Sequence, residues 1–245
     1  MFPQLYTAAS AMVTGEQTLD LVTGNLANIR TPGFRPDRPV FATYLSALTA
    51  SNVPGGFPAA PRGVVLVSSW RSDDPGPLRQ SGNPLDLALA GPGWFRVSTP
   101  NGERLTRAGN FTRANDGRLV TVQGYDVLDD NGHPIQLPEG RIGFGTDGTV
   151  TVDDNVVARL GLAQGRAQDM VREGQTLWKP PAKPAPLDMK DTQVQQGFLE
   201  ESAVDTTSEL VTLIQAQRMY EMQNKILDMT ANTLARKAIE LGEPR

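Results

Sequence analysis

His133 is the sole histidine in a chain of 245 residues that contains no cysteine. A single imidazole with no thiol partner removes the usual zinc ligand sets and any Cys–His pair. His133 sits between Asn131-Gly132 and Pro134, the setting of a solvated turn. The acids beside it, Asp126, Asp129 and Asp130 with Asn131, are the nearest approach to a calcium loop. Placing Gly132 at the invariant glycine of an EF-hand loop puts Val127 at the first ligand position and Pro138 at the last, where oxygen ligands are required. A hairpin turn with solvated acids accounts for these residues better. Asp73-Asp74 and Glu200-Glu201 are paired carboxylates of the kind glycoside hydrolysis needs, but adjacent acids read as solvated surface rather than as groups set across a cleft. Gly91-Pro92-Gly93 lacks the lysine of a phosphate loop and the spacing of a dinucleotide fingerprint. No catalytic set, cofactor site or metal site emerges.

The elements that would position any site fall into three zones. At both ends apolar residues recur every seven positions: Leu5, Met12, Leu19 and Leu26, then Leu213, Tyr220, Leu227, Leu234 and Leu241. Ala8, Gly15, Val22 and Ile29 complete the first line three residues on. Such a repeat marks helices that pack along partners, so the nine residues from Leu5 to Leu26 and from Leu213 to Leu241 that recur every seven positions are the expected assembly interface. The spacing predicts helices over 3–29 and 204–241. The second carries a further apolar line, Val211, Ile214, Met222, Ile226 and Met229, as suits a helix enclosed by several neighbours. Thr31-Pro32-Gly33 should end the first helix. Thr207 or Ser208 should cap the second.

Between the ends, 35–63 reads as an irregular Pro-rich linker with one helical turn at 42–48, followed by a short strand at 62–70. Leu85, Leu87 and Leu89 alternate with Asp86, Ala88 and Ala90, the period of a half-buried strand. Asn101-Gly102, Asp116-Gly117, Asn131-Gly132 and Asp147-Gly148 then mark hairpin turns at even intervals, with strand-like stretches between them through 162. A second Pro-rich segment, 179–186, should be an extended connector. The expected fold is therefore α+β, a mostly β middle with long terminal helices that pair as a coiled-coil-like rod domain. Its parts are 1–34 with 200–245, a linker over 35–82, a central antiparallel β domain over 83–178 and a connector over 179–199.

Bulk properties narrow the function. Apolar residues at 39% and charged residues at 20% fit a folded protein rather than a disordered one. A net charge of −4 without a basic stripe argues against nucleic acid. No apolar run is long enough for a spanning helix, and the N-terminal segment lacks the basic n-region of a cleaved signal peptide.

Four stretches, in order along nearly the whole chain, resemble the rod and hook family of bacterial flagellar axial proteins. The first is Asn25-Leu26-Ala27-Asn28-Ile29-Arg30-Thr31-Pro32-Gly33-Phe34. The second runs from Gly82 through Leu85 and Asp86 to Leu89, with Gly91-Pro92-Gly93-Trp94-Phe95 after it. The third is Thr106-Arg107-Ala108-Gly109-Asn110-Phe111, then Gly117-Arg118-Leu119-Val120-Thr121 and Gly124-Tyr125. The fourth is Gln196-Gly197-Phe198-Leu199-Glu200, followed by Gln215-Ala216-Gln217-Arg218-Met219-Tyr220-Glu221. The resemblance implies a structural, non-enzymatic subunit of the basal-body rod whose terminal helices build the inner tube. It implies partners among copies of itself and other rod and hook proteins, export by the flagellar type III apparatus without a cleaved signal, and peptidoglycan nearby. The short region after Phe34 points to a proximal-rod member, with a distal-rod member as the alternative. A cell-wall glycan-binding or hydrolysing protein and an unrelated helix-tethered scaffold are the remaining readings.

Overall fold

The computed structural model describes residues 2–44, 63–181, 184–187 and 191–242, and side-chain surroundings within 9–40, 71–181, 184–187 and 191–233. The chain forms two compact units, one of residues 1–26, 37–70 and 206–245, the other of 27–36 and 71–205.

The second unit is built of antiparallel strands. Its largest sheet runs in the order 171–173, 177–179, 102–106, 94–99, 126–127, 119–121, 111–113, with 162–163 added beside 94–99. The four Asn-Gly and Asp-Gly turns all place their glycine at positive φ: 99° at Gly102, 86° at Gly117, 88° at Gly132 and 81° at Gly148. Side chains of L-residues rarely adopt that region, which is why these dipeptides locate the hairpins. Strand Trp94–Thr99 divides the interior by its two-residue period. Phe95 and Val97 enter a large core with Leu87, Leu89, Phe111, Leu119 and Val150. Trp94 enters a smaller one with Leu105, Met170 and Trp178. Phe95 and Phe111 meet edge to face, with ring centroids 5.2 Å apart. Leu87–Ala90 pairs with Gln193–Gln196, and Leu78–Gln80 with Phe198–Glu200, so the segment leading to the last helix is stitched to the motif around Gly82. Of the connector expected over 179–186, residues 182 and 183 lie outside the described residues; Ala185 O accepts from Gln164 N–H at 2.9 Å and Pro186 lies opposite Ala163.

The first unit holds two helices, α1 (Phe2–Ala27) and α2 (Thr206–Gly242), and a two-stranded sheet of Asp37–Tyr44 with Gly63–Arg71. The first of these strands replaces part of the irregular linker expected over 35–63. Pro39 hid it, since proline is excluded from central strands, but a two-stranded sheet has only edges. Of the helical turn expected at 42–48, residues 42–44 are strand and the rest lies outside the described residues.

The expected pairing of the terminal helices as a coiled-coil-like rod domain is corrected. Among the residues of α1 whose side chains are described, Thr14, Val22 and Asn25 are buried, and the heptad residues Met12, Leu19 and Leu26 are only half-buried. In α2 the heptad residues Leu213, Tyr220 and Leu227 are likewise only half-buried. Where the helices approach, Gly15 faces the Tyr220 ring and Gln223, and Thr14, Thr18, Thr212 and Ala216 line the gap. Small and polar side chains of this kind supply no knobs for a heptad seam. The mostly β middle stands.

Candidate assembly surface and the buried ion cluster

The motif segments converge, within the β unit, on one buried carboxylate. Glu200 ends strand Phe198–Glu200 and is 1% exposed. Its Oε1 accepts from Arg35 Nη2 at 2.9 Å and from Gly76 N–H at 3.2 Å, and its Oε2 accepts from Arg107 Nη1 at 3.1 Å. Arg107 also donates to Leu89 O at 3.2 Å and to Gly91 O at 2.7 Å. The backbone repeats the connection. Gly33 N–H donates to Glu200 O at 2.8 Å, and Ala203 N–H to Phe34 O at 3.0 Å. The segment leaving α1 and the segment entering α2 therefore lie side by side.

Burial lowers the Arg35 guanidinium from its ordinary value, with Glu200 opposing. It lowers Arg107 to about 10, Glu200 again opposing and Arg35 adding to the drop by like-charge repulsion. Arg107, at about 10, stays charged at neutral pH. Arg172 stacks over the Phe34 and Trp178 rings, 4.7 and 4.8 Å from their centroids, and donates to Arg35 O.

Two glycines make this packing possible. A Cβ on Gly33, which has φ +66°, would lie 2.4 Å from the Arg107 carbonyl carbon, and one on Gly109 would lie 1.7 Å from Leu87 O. Gly109 O in turn accepts from Leu87 N–H at 2.9 Å, beside the bridge of Asp86 to Asn110.

The reading of Glu200-Glu201 as a solvated pair fails for Glu200. Strand alternation sends the neighbours to opposite faces. Glu201 is half-buried, with its side chain 44% exposed, and pairs with Arg79 at 2.7 Å, while Glu200 is fully buried. Glu200, Arg35 and Arg107 escaped the sequence reading because ion pairs between distant segments leave no local pattern. The available signal was that Arg107 and Glu200 lie inside the ordered motifs and Arg35 directly follows one.

The remaining motif residues divide between the two units. Asn25 is buried in α1. Its side-chain amide clamps the backbone of Asp37, accepting from Asp37 N–H at 3.0 Å and donating to Asp37 O at 2.8 Å, and reaches Glu209 of α2 at 3.3 Å. Ala27 closes α1, and Asn28 Oδ1 accepts from the Thr31 hydroxyl at 3.1 Å in the turn that follows. Pro32 and Leu85 are half-buried. Gly82 lies at positive φ opposite Gly197 O. His133 is an exposed hairpin residue whose N–H donates to Asp129 Oδ1 at 2.7 Å, and Asp126 pairs with Arg118. Among the described residues no group of three acids or histidines is placed to hold a metal ion.

The other feature is the surface of α2. Val211, Ile214, Met222, Ile226 and Met229 are 47–63% exposed. At 3.6 residues per turn they fall within an arc of about 120°, roughly opposite Leu213, Tyr220 and Leu227. Arg218 and Glu221 are exposed on the same helix. The side chains of Leu5, Leu234 and Leu241 lie outside the described residues. A sustained apolar stripe on an exposed helix is a surface that gains by being covered.

Residues 88–152 match the flagellar hook protein FlgE/F/G D1 domain, and residues 195–241 match the flagellar basal body rod FlgEFG protein C-terminal region. The chain is 36% identical to the flagellar basal-body rod protein FlgF of Caulobacter vibrioides over 96% of each chain. It is 34% identical to FlgF of Mesorhizobium japonicum over 95% of each. To the flagellar basal-body rod protein FlgG of Bacillus subtilis it is 31% identical, over 98% of this chain and 99% of that one. Similarity of this extent, with the two matched regions lying in the β unit and along α2, shows that the chain belongs to the flagellar basal-body rod protein family shared by FlgE, FlgF and FlgG.

Proposed function

We infer that the chain is a structural subunit of the flagellar basal-body rod, of the proximal FlgF type, polymerising through its terminal helices as part of the axial drive shaft. The family is one of structural proteins, so the chain is not an enzyme. Its partners are rod and hook proteins.

The observation that carries the assembly role is the uncovered stripe of α2. Full burial of a Val, Ile or Met side chain contributes about 1.5–3 kcal/mol. Each stripe residue is already partly covered, so a neighbouring subunit would gain about half of that at each position. The assembly surface in this reading comprises the stripe together with Leu5, Met12, Leu19, Leu26, Leu213, Tyr220, Leu227, Leu234 and Leu241. Segments 1–34 and 200–245 form the shaft-building part of the chain, and 83–178 forms its central β domain. The chain reaches the rod through the flagellar type III export apparatus, and it works close to peptidoglycan. The FlgG relatives support the distal-rod alternative less well.

A photo-crosslinking residue placed at Met222 in cells tests this. Crosslinks to rod or hook proteins, or to a second copy of the chain, are expected. Crosslinks confined to non-flagellar proteins would refute the reading.

A further inference from the structure

A second concave surface lies in the β unit and includes no residue of the buried ion cluster. It has a volume of about 420 Å³ and is formed where the Asn101 turn, the 123–125 turn and the segment 173–177 meet. That size falls within the roughly 300–1,000 Å³ of small-ligand pockets.

Its chemistry is mixed in a specific way. Asn101, Gln123 and Gln175 bring side-chain amides, which both donate and accept. Pro100, Tyr125 and Leu177 bring apolar faces. The charges are already spent. Glu173 takes both of its oxygens to Arg104, at 2.8 and 3.1 Å, and Arg104 gives its remaining Nη to Glu103 O at 2.8 Å. Lys179 acts on Glu173 electrostatically but does not line the pocket. No lining cation is free to anchor a phosphate or carboxylate, and the amides make the pocket too polar for a lipid chain.

A ligand that suits planar amides beside aromatic and aliphatic faces, without needing a charge, is a sugar ring, which has a hydroxyl rim and an apolar C–H face. We propose that this pocket, centred on Tyr125, Gln123 and Asn101, binds a neutral saccharide. The site binds without cleaving. Hydrogen bonding from Arg104 holds the Glu173 carboxyl below its ordinary range, so it carries no proton to give a leaving group, and no second carboxylate lines the pocket to act with it. The proposal is independent of rod assembly.

The test is a titration of the isotope-labelled full chain, followed by backbone NMR, with chitotetraose and separately with maltotetraose, each to on the order of 10 mM. Shifts confined to 99–101, 123–125 and 173–177 are expected. Shifts with both sugars support a general saccharide site, and shifts with chitotetraose alone narrow it to N-acetylated sugars. Tyr125→Ala should weaken binding by about tenfold, the loss of one stacking face. Gln123→Ala, at an exposed turn, is the second variant should the tyrosine variant disturb the rest of the spectrum. No localised shift with either sugar, shifts centred elsewhere, or undiminished affinity in a folded variant would overturn the proposal.

Discussion

Replacing Glu200 by Gln keeps its shape and removes its charge, leaving Arg35 and Arg107 buried with no acid between them. Breaking a buried pair from one side costs about 3–5 kcal/mol because the remaining charge stays desolvated. We expect Glu200→Gln to lower the stability of the β unit by that amount in urea denaturation. Glu201→Gln, which loses an exposed pair with Arg79, should change it by less than about 1 kcal/mol. Equal midpoints for the two variants would show that the cluster is not what joins the motif segments. This residue-level feature was the least legible in the sequence, because Glu200 lies 93 residues from Arg107 and adjacent acids look alike until strand alternation separates them. The glycines beside it were legible as motif members but not for their reason, the close approach of Leu87 and Arg107 backbone to Gly109 and Gly33.

At the scale of elements, local signals served well wherever local geometry decides. The four Gly turns lie where their dipeptides occur, since positive φ is a property of the residue itself. The strands between them follow from two-residue alternation. The helices also formed close to the expected bounds, but their pairing did not. A seven-residue period shows that a helix has an apolar line without showing what covers it, and the small residues around Gly15 decide against a heptad seam. Gly24 offers a clean check on α1. It is exposed, helical, and has nothing within 4 Å of where a Cβ would lie. Gly24→Ala should therefore raise thermal stability, by about 0.5–1 kcal/mol. Gly109→Ala, with a Cβ at 1.7 Å from Leu87 O, should instead disrupt the β unit, visible as lost near-ultraviolet dichroism. A neutral Gly109→Ala would contradict the close approach described.

Across the whole molecule, apolar burial among the described residues is concentrated in the two cores of the β unit, while the described part of α2 keeps most of its large apolar side chains exposed and the rest only half-buried. Local opening is easiest where few buried contacts resist it. In the free subunit, amides of 206–233 should exchange faster than those of strand 94–99, and assembly should slow the helix selectively. Equal protection of the two in the free subunit would remove the case for ordering on assembly.

The decisive measurement is electron microscopy of basal bodies isolated from a strain whose only copy of this chain carries Ile226→Asp. A carboxylate in the stripe would have to be buried unpaired in an assembled wall, which is costly, yet in the free subunit it points to solvent and should leave the β unit folded. We expect soluble protein, rods that stop before the hook, and no swimming, whereas Asn115→Asp at an exposed turn should leave all three as in the parent. Complete rods and normal swimming with Ile226→Asp would contradict the claim that this face of α2 builds the rod.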